Sequence, residues 1–332
     1  MITEESGSAN DGGAGFAHVP VLLEETLELL DPQPGKLYVD CTAGAGGHLL
    51  RIAEKACVGD AEFLKNNPCV IGIDRDEQSL SNLAKKVGPG VRLIHSNYED
   101  IRSAISKYGI NTISGGIIAD LGVSSMQLDD PDRGFSFLRN GPLDMRMDAS
   151  QITTAAEIIN NLSEFDLAEI IFRYGEERHS RLIARNIVKA RPLRTTLELA
   201  EIVSRSIPRN KKKGTARDTS HPATRTFQAL RIAVNSELTS LEKFVDEAID
   251  LLEPGAKIVV ITFHSLEDRL VKQIFKRASI DCVCPPRQPV CTCDHKSKLL
   301  IITRKPVVAA EKEILANIRS RSAKLRAGQK LD

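Results

Sequence analysis

Three short apolar runs of this sequence end on groups able to bind a ligand or hold a proton. Leu37 to Thr42 (LYVDCT) carries Asp40 and leads into Gly44-Ala45-Gly46-Gly47. Cys69 to Asp74 (CVIGID) ends on Asp74, and Gly116 to Leu121 (GIIADL) holds Asp120. Glycines directly after an apolar run let a ligand approach the backbone and open a helix N-terminus toward it. An acid ending the second run suits a bidentate hydrogen bond to a ribose diol. Together these features point to a cofactor containing adenosine. A dinucleotide and S-adenosylmethionine both fit. The loop lacks the third spaced glycine of G-x-G-x-x-G, which serves helix packing beside a pyrophosphate, so the loop favours the phosphate-free cofactor.

Four late cysteines form a second constellation, Cys282, Cys284, Cys291 and Cys293, spaced C-x-C-x₆-C-x-C. Four clustered thiolates suit tetrahedral zinc, but the usual knuckle is C-x₂-C. The default expectation is therefore no metal, with reduced thiols in a Pro-rich loop.

Stepping from these groups to the elements that hold them, His48 to Ala56, Glu77 to Val87 and Ile101 to Tyr108 have helical composition or spacing. Val91 to Ile94 is another short strand. Alternation of short buried strands with helices predicts a parallel α/β sheet, whose ligands bind outside the carboxyl ends of the strands. Those ends hold Asp40 to Gly47, Asp74, Tyr98, Asp120 to Gln127, and His264-Ser265. From about Gln127 to His221 the alternation stops, and helices are expected over Ala155 to Tyr174, Arg178 to Ala190 and Leu197 to Ile207. Asn210 to Gly214 reads as a basic loop closing this insertion. From Thr224 to Leu252 apolar residues keep three-or-four spacing, which predicts one long helix. Lys257 to Phe263 and Leu299 to Thr303 follow as strands, with a helix over Leu266 to Ala278 between them. A basic helix with Arg319, Arg321, Lys324 and Arg326 is expected at the end.

The 332 residues suggest one large or two medium domains, and 42% hydrophobic with 27% charged residues is ordinary globular composition. The expected organisation is a disordered tail over 1–17, a first core segment over 18–126 and an inserted helical substrate-recognition domain over 127–220. A second core segment with the basic helix fills 221–332. Net charge is only +1, but it conceals segregation. Arg178 to Arg217 holds 12 basic and 2 acidic residues, and Lys296 to Lys330 holds 10 and 2. Such blocks are candidate phosphate-binding surfaces, or solvated helical faces. Arg178, Arg181, Arg185 and Lys189 share one helical face. No run of about 18 apolar residues is present, which excludes a transmembrane helix. The N-terminus lacks the apolar region of a signal peptide, and seven cysteines with no secretion signal favour a reduced cytoplasmic location. No Trp and few Phe or Tyr disfavour a binder that relies on base stacking.

Several longer blocks carry a resemblance. They are TAGAGGH (Thr42 to His48), GIDRD (Gly72 to Asp76), DLGVSSMQLDDPDRGFSF from Asp120, GPLDMRMD, YGEE (Tyr174 to Glu177), HPATRTFQALRIAVNSEL (His221 to Leu238), FHSLEDR (Phe263 to Arg269) and RSRSAKLR (Arg319 to Arg326). Their order and content, over almost the whole chain, resemble the ribosomal RNA small subunit methyltransferase H family. The resemblance implies a Rossmann-like, class I S-adenosylmethionine methyltransferase core with an inserted all-helical domain. It implies methylation of the N4 amine of a cytidine in the decoding region of 16S rRNA, with the small ribosomal subunit as partner. It places cofactor binding on Gly46, Gly47, His48, Asp74, Tyr98, Asp120 and Gln127. Met126 and Ile318 depart from the family pattern, each standing where Pro is usual. A homodimer and a monomer both remain open.

Methyl transfer to N4 needs an acceptor beside the amine, because its lone pair is delocalised into the ring. Asp120, or the backbone of the turn through Ser124 and Ser125, is the candidate, alongside a purely cofactor-binding role for Asp120. A paired cytosine must also be unstacked, at a cost of about a few kcal/mol. Basic groups on the flanking phosphates offset that cost. Arg146, Arg178, Arg181, Arg185, His221, Arg225 and His264 are the candidates for substrate RNA, each with a structural hydrogen bond as the competing role. The competing functions are an NAD-dependent oxidoreductase, a non-enzymatic RNA-binding protein and a DNA amino-methyltransferase. The first is disfavoured by the loop, the second by intact Asp74 and Asp120, and the third by the absent Pro-Pro-aromatic turn.

Overall fold

The structure is a computed structural model that describes residues 20–123, 125–207, 221–285, 288 and 290–332. The expected tail over 1–17, the basic loop Asn210 to Gly214 and Ser124 lie outside the described residues. In chain order the first half holds α1 (Leu23–Leu30), β1 (Tyr38–Asp40), α2 (Gly47–Ala56), α3 (Ala61–Asn66), β2 (Val70–Asp74), α4 (Glu77–Ala84), β3 (Val91–His95), α5 (Ile101–Ser106), β4 (Gly116–Asp120) and α6 (Ser125–Asp129). The helical stretch follows with α7 (Ala155–Asn161), α8 (Glu164–Gly175), α9 (Ser180–Ala190), α10 (Thr196–Ser206), α11 (Thr224–Asn235) and α12 (Glu237–Leu251). The chain ends with β5 (Lys257–Thr262), α13 (Ser265–Ala278), β6 (Leu299–Ile301), α14 (Glu311–Ala316) and β7 (Lys324–Lys330).

The strands form one sheet in the order β3-β2-β1-β4-β5-β7-β6. The first five pair in parallel, while β7 pairs antiparallel with both β5 and β6. Strand order therefore reverses between β1 and β4, which makes the crevice at their carboxyl ends the expected binding place. The pleat divides the apolar side chains between two layers. Val39, Ile71, Ile73, Ile117, Ala119, Ile258 and Val260 face a layer built on α5, α12 and α13. Tyr38, Val70, Ile118, Val259 and Ile261 face the other, built on α1, α2 and α4. Strands covered on both faces read as continuous apolar runs, which is why they stand out in the sequence. The fold is thus the expected α/β sheet with a helical insertion.

A third core gathers the insertion. Leu167, Ile171, Ile183, Ile187, Leu199 and Val203 pack with Met145 and Met147, and with Phe227, Leu230 and Val234 of α11. α11 packs mainly on α8, so the helical cluster extends past the expected limit at 220 to about Asn235. There the expected single helix over Thr224 to Leu252 is broken. Ser236 adopts φ 50° and ψ 34°, closing α11 and starting α12. Asn235 fixes the break: its Oδ1 accepts from Met147 N at 2.8 Å and its Nδ2 donates to Met145 O at 2.8 Å. The stretch Ala155 to Tyr174 likewise divides, because Ser163 caps α8.

The expected basic C-terminal helix is corrected. Only the short α14 and a 3-10 turn over Ile318–Ser322 precede β7. Leu325 and Ala327 point into the second core layer, a period of two that belongs to a strand. On its other face Arg326 is buried, and its Nε donates to Asp268 Oδ1 at 2.6 Å. Lys324 Nζ lies 3.5 Å from the other oxygen of Asp268.

Candidate active site

The glycine loop turns directly from β1 into α2. Gly46 sits at φ 91° as the N-cap of α2, and a Cβ there would lie 2.3 Å from Leu83 Cδ1. A Cβ on Gly47 would lie 2.6 Å from Pro20 Cγ. The loop is therefore both left-handed and crowded, so glycine is required on two counts. Gly47 and His48, the first residues of α2, line a cleft of about 330 Å³ at the carboxyl ends of the parallel strands. A helix start facing the cleft suits a carboxylate-bearing ligand.

The sheet supplies three acids to the same cleft: Asp40, Asp74 and Asp120. Asp74 Oδ2 accepts from Gly44 N at 2.7 Å, and its Oδ1 accepts from Asp76 N at 2.9 Å. One carboxylate thus ties the loop after β1 to the end of β2. Burial raises the Asp74 carboxyl above the usual range, opposed by those two backbone donors. Asp40 is buried, with Oδ1 accepting from Thr42 N at 3.0 Å. Burial, reinforced by nearby Asp74, pushes it up to about 7. Asp120 is raised well above the ordinary range by burial and then by Asp40 and Glu267. Its Oδ1 is buried with no hydrogen-bond partner, while its backbone N–H donates to Thr42 Oγ1 at 2.7 Å. His48 stands beside it, with Nδ1 3.8 Å from Asp120 Oδ2 and Nε2 3.0 Å from Val21 O.

Of the cofactor residues expected from the sequence, Gly47, His48, Asp74, Tyr98, Asp120 and Gln127 converge on this cleft. Gly46 shapes the turn behind it. Gln127 is buried on α6, and the Tyr98 ring packs edge-on against Phe244 at 5.3 Å. Burial raises the Tyr98 hydroxyl well above its ordinary range.

A buried charged network in the cleft wall escaped the sequence reading. Arg231 on α11 makes a bidentate pair with Glu237 on α12, at 2.8 Å for each bond. Glu267 on α13 also lines the cleft and accepts from Phe263 N at 2.8 Å. Burial opposes its ionisation, but His264, Arg231 and the Phe263 N–H together hold it below the usual carboxylate range. Phe263 is a second missed lining residue. FHSLEDR and NSEL contain these acids, but only the tertiary fold shows that they meet an arginine at the cleft. Among the described lining residues, five carboxyl groups (Asp40, Asp74, Asp120, Glu237, Glu267) face three guanidinium groups (Arg75, Arg231, Arg319). Arg231 is engaged by Glu237, and Arg319 by Asp129 at 2.7 Å. The neighbourhood of Asp40 and Asp120 is thus suited to a cationic ligand.

The expected RNA residues sit elsewhere, and none lines the cleft. Arg146 is held within its own loop, pairing with Asp144 at 2.8 Å and donating to Ala149 O and Gln151 O. His264 caps α13 and lies 3.1 Å from Glu267 Oε1. Both have the structural bonds weighed against an RNA role. Arg178, Arg181 and Arg185 are exposed, as is Lys189, while Ile183 and Ile187 on the opposite face are buried. Arg185 shares an exposed ion pair with Glu164 at 3.4 Å. His221 is exposed, its ring against Phe137 at 4.6 Å. Arg225 lies 3.9 Å from Glu177.

Comparison with known proteins gives the family. The family model described as the MraW methylase family matches residues 15–331. A protein of Carboxydothermus hydrogenoformans named ribosomal RNA small subunit methyltransferase H is 49% identical over 323 residues, covering 95% of this chain and 98% of its own. A protein of the same name from Pelobacter propionicus is 47% identical, covering 96% of this chain and 100% of its own. One from Clostridioides difficile is 43% identical over 95% of this chain and 99% of its own.

Proposed function

Because this chain belongs to the MraW methylase family, we infer that it is an S-adenosylmethionine-dependent methyltransferase acting on 16S rRNA of the small ribosomal subunit. Its target is the N4 amine of a cytidine in the decoding region. The observation that carries the reading is the set of acids at the ends of β1, β2 and β4, all three lining one cleft beside the glycine loop. Such a set fits a ligand that carries a sulfonium and an ammonium.

When bound, S-adenosylmethionine supplies a methyl group already made electrophilic by its sulfonium. The start of α2 and the glycine loop hold its carboxylate, Asp40 its ammonium, and Asp74 its ribose hydroxyls. Tyr98 and Gln127 flank the site, and Gly46, Gly47 and His48 shape it. Asp120 is the acceptor we assign to the N4 amine. A carboxylate oxygen of Asp120 accepts an N4–H hydrogen bond and takes the proton as the amine gives up its delocalised lone pair. Fixing that oxygen in a buried cleft also aligns the amine, and orientation of this kind supplies up to roughly 7–11 kcal/mol of barrier reduction. The arginines of α9 hold phosphates beside the flipped nucleotide, with His221 and Arg225 as further contacts.

A small-subunit substrate places the enzyme in the cytoplasm, and among the described residues no helix is long and apolar enough to cross a membrane. Light scattering separates monomer from homodimer. The test of function incubates labelled S-adenosylmethionine with small subunits from a strain lacking this activity. Nucleoside mass spectrometry then shows N4-methylcytidine. Label appearing only in protein, DNA or another nucleoside overturns the reading.

A further inference from the structure

Between α13 and β6 the chain runs through residues 279–298 without a helix or strand among the described positions. Stretches this long without regular structure are uncommon in compact domains. Little apolar burial holds this one together. Ile280, Val283 and Val290 are all exposed, and no described residue from 279 to 298 belongs to a hydrophobic core. The base is closed by Lys298 N donating to Ala278 O at 2.7 Å and by Ser297 donating to Asp281 Oδ1. Beyond that base the features that converge are the sulfurs of Cys282, Cys284, Cys291 and Cys293.

These four Sγ atoms all lie within 4.8 Å of one another. Cys282 and Cys291 are 3.5 Å apart, Cys291 and Cys293 3.6 Å, and Cys293 and Cys282 3.8 Å. Four thiolates about 2.3 Å from one zinc ion stand about 3.8 Å from each other at the corners of a tetrahedron. The shortest separation is also well beyond the roughly 2.05 Å of a disulfide bond. Two backbone groups aim at the cluster: Val283 N donates to Cys293 Sγ at 3.4 Å, and Thr292 N to Cys284 Sγ at 3.5 Å. Such N–H donors spread the negative charge that four thiolates bring to a metal.

We propose that Cys282, Cys284, Cys291 and Cys293 bind one structural zinc ion that folds the segment between α13 and β6. The narrow C-x-C spacing is accommodated because the two pairs come from opposite arms of the loop and interleave, so each arm contributes one edge of the tetrahedron. All four positions are filled by protein sulfur, leaving no place for water, which makes the site structural rather than catalytic. Soft thiolate ligands in tetrahedral array select zinc or iron over harder divalent ions.

The full chain is produced in zinc-supplemented medium, purified without chelator and assayed by plasma mass spectrometry. One zinc per chain is expected. Titration with an organomercurial releases it at four thiols per zinc, a stoichiometry that needs no variant. In Cys282→Ser/Cys291→Ser zinc falls to background while S-adenosylmethionine binding persists, and cleavage by protease appears within 279–298. Zinc at background in the parent chain overturns the proposal. So does iron in its place, or a peptide map showing disulfides among the four cysteines.

Discussion

Asp40 ties cofactor affinity to pH. Its carboxyl is buried and pushed up to about 7, so near neutrality the free enzyme holds a proton there about half the time. A ligand bearing two positive charges beside it favours the ionised form and returns the group toward its ordinary range. Binding then expels the proton. Above pH 7 the group is already ionised and its own contribution to affinity is flat. Below pH 7 affinity falls as pH falls, approaching tenfold per unit. Between pH 7.5 and pH 5.5 this amounts to about 25-fold in Kd, or about 1.9 kcal/mol. Asp120, also raised by burial, adds to the effect in the same direction. Isothermal titration with S-adenosylmethionine in buffers of different ionisation enthalpy counts the protons directly. About one is released at pH 5.5 and about a quarter of one at pH 7.5 from Asp40. In Asp40→Asn the side-chain Oδ1 still accepts from Thr42 N, so the loop is kept while the titration is lost. Its Kd follows a flatter line with pH. A parent Kd that stays within about twofold over this window, with heats independent of buffer, refutes the linkage.

Asp74→Ala removes both the ribose acceptor and the tie to Gly44; a charge-assisted bond of about 1.5–3 kcal/mol predicts a Kd at least about tenfold weaker, read by the same titration. Gly46→Ala forces a Cβ into the Leu83 side chain at a left-handed position, costing about 1–3 kcal/mol in denaturant unfolding; an unchanged midpoint contradicts the crowding argument. Arg181→Ala/Arg185→Ala removes two exposed cations, so the slope of log K for RNA against log salt flattens by roughly 1.4–1.8. Filter binding at several salt concentrations reads it, and an unchanged slope clears α9 of the RNA role. Arg326→Ala leaves Asp268 of α13 with Lys324 as its remaining charged partner, lowering stability by about 1–3 kcal/mol. Asp268 is held below the usual range, by Arg326 and Lys324 against burial. Its contribution to stability is therefore present at neutral pH and lost as pH falls through its depressed value. Thermal melts of parent and variant at pH 7 and about pH 2 show the gap between them shrinking at the lower pH, and a gap that stays constant contradicts the pairing.

The parallel strands and their polar ends were legible because burial on both faces writes each strand as a short unbroken apolar run. Asp40, Asp74 and Asp120 interrupt or end those runs, and a carboxylate at such a place has few purely structural uses. The break at Ser236 was not legible. Apolar spacing passes through it in phase, from Val234 to Leu238 and Leu241, so the local pattern reads as one helix. What breaks it is Asn235 reaching the backbone of Met145 and Met147, residues about ninety positions earlier. The Arg231–Glu237–Glu267 network was hidden for the same reason. Its members are separated in sequence, and each alone looks like an ordinary surface charge.

The C-terminal strand carries the sharper lesson about charge. KLRAGQK carries three basic residues in seven places, which reads as a solvated cationic segment. In the fold Arg326 is enclosed against Asp268, Lys324 reaches the same carboxylate, and Lys330 Nζ donates to Ile249 O at 2.8 Å. Upstream, Lys298 pairs with Asp250 at 2.8 Å and Arg319 with Asp129. Much of the second basic block therefore balances acids or carbonyls of the core. In the first block Ile183 and Ile187 anchor α9, so Arg181 and Lys189 on its opposite face remain directed to solvent, as does Arg178 just before the helix. Net charge along a chain counts both kinds of cation alike. A polyanion responds to the cations left exposed after the fold has neutralised its own, and among the described residues these include Arg181 and Lys189 of α9 together with Arg304, Lys305 and Arg321 of the second block.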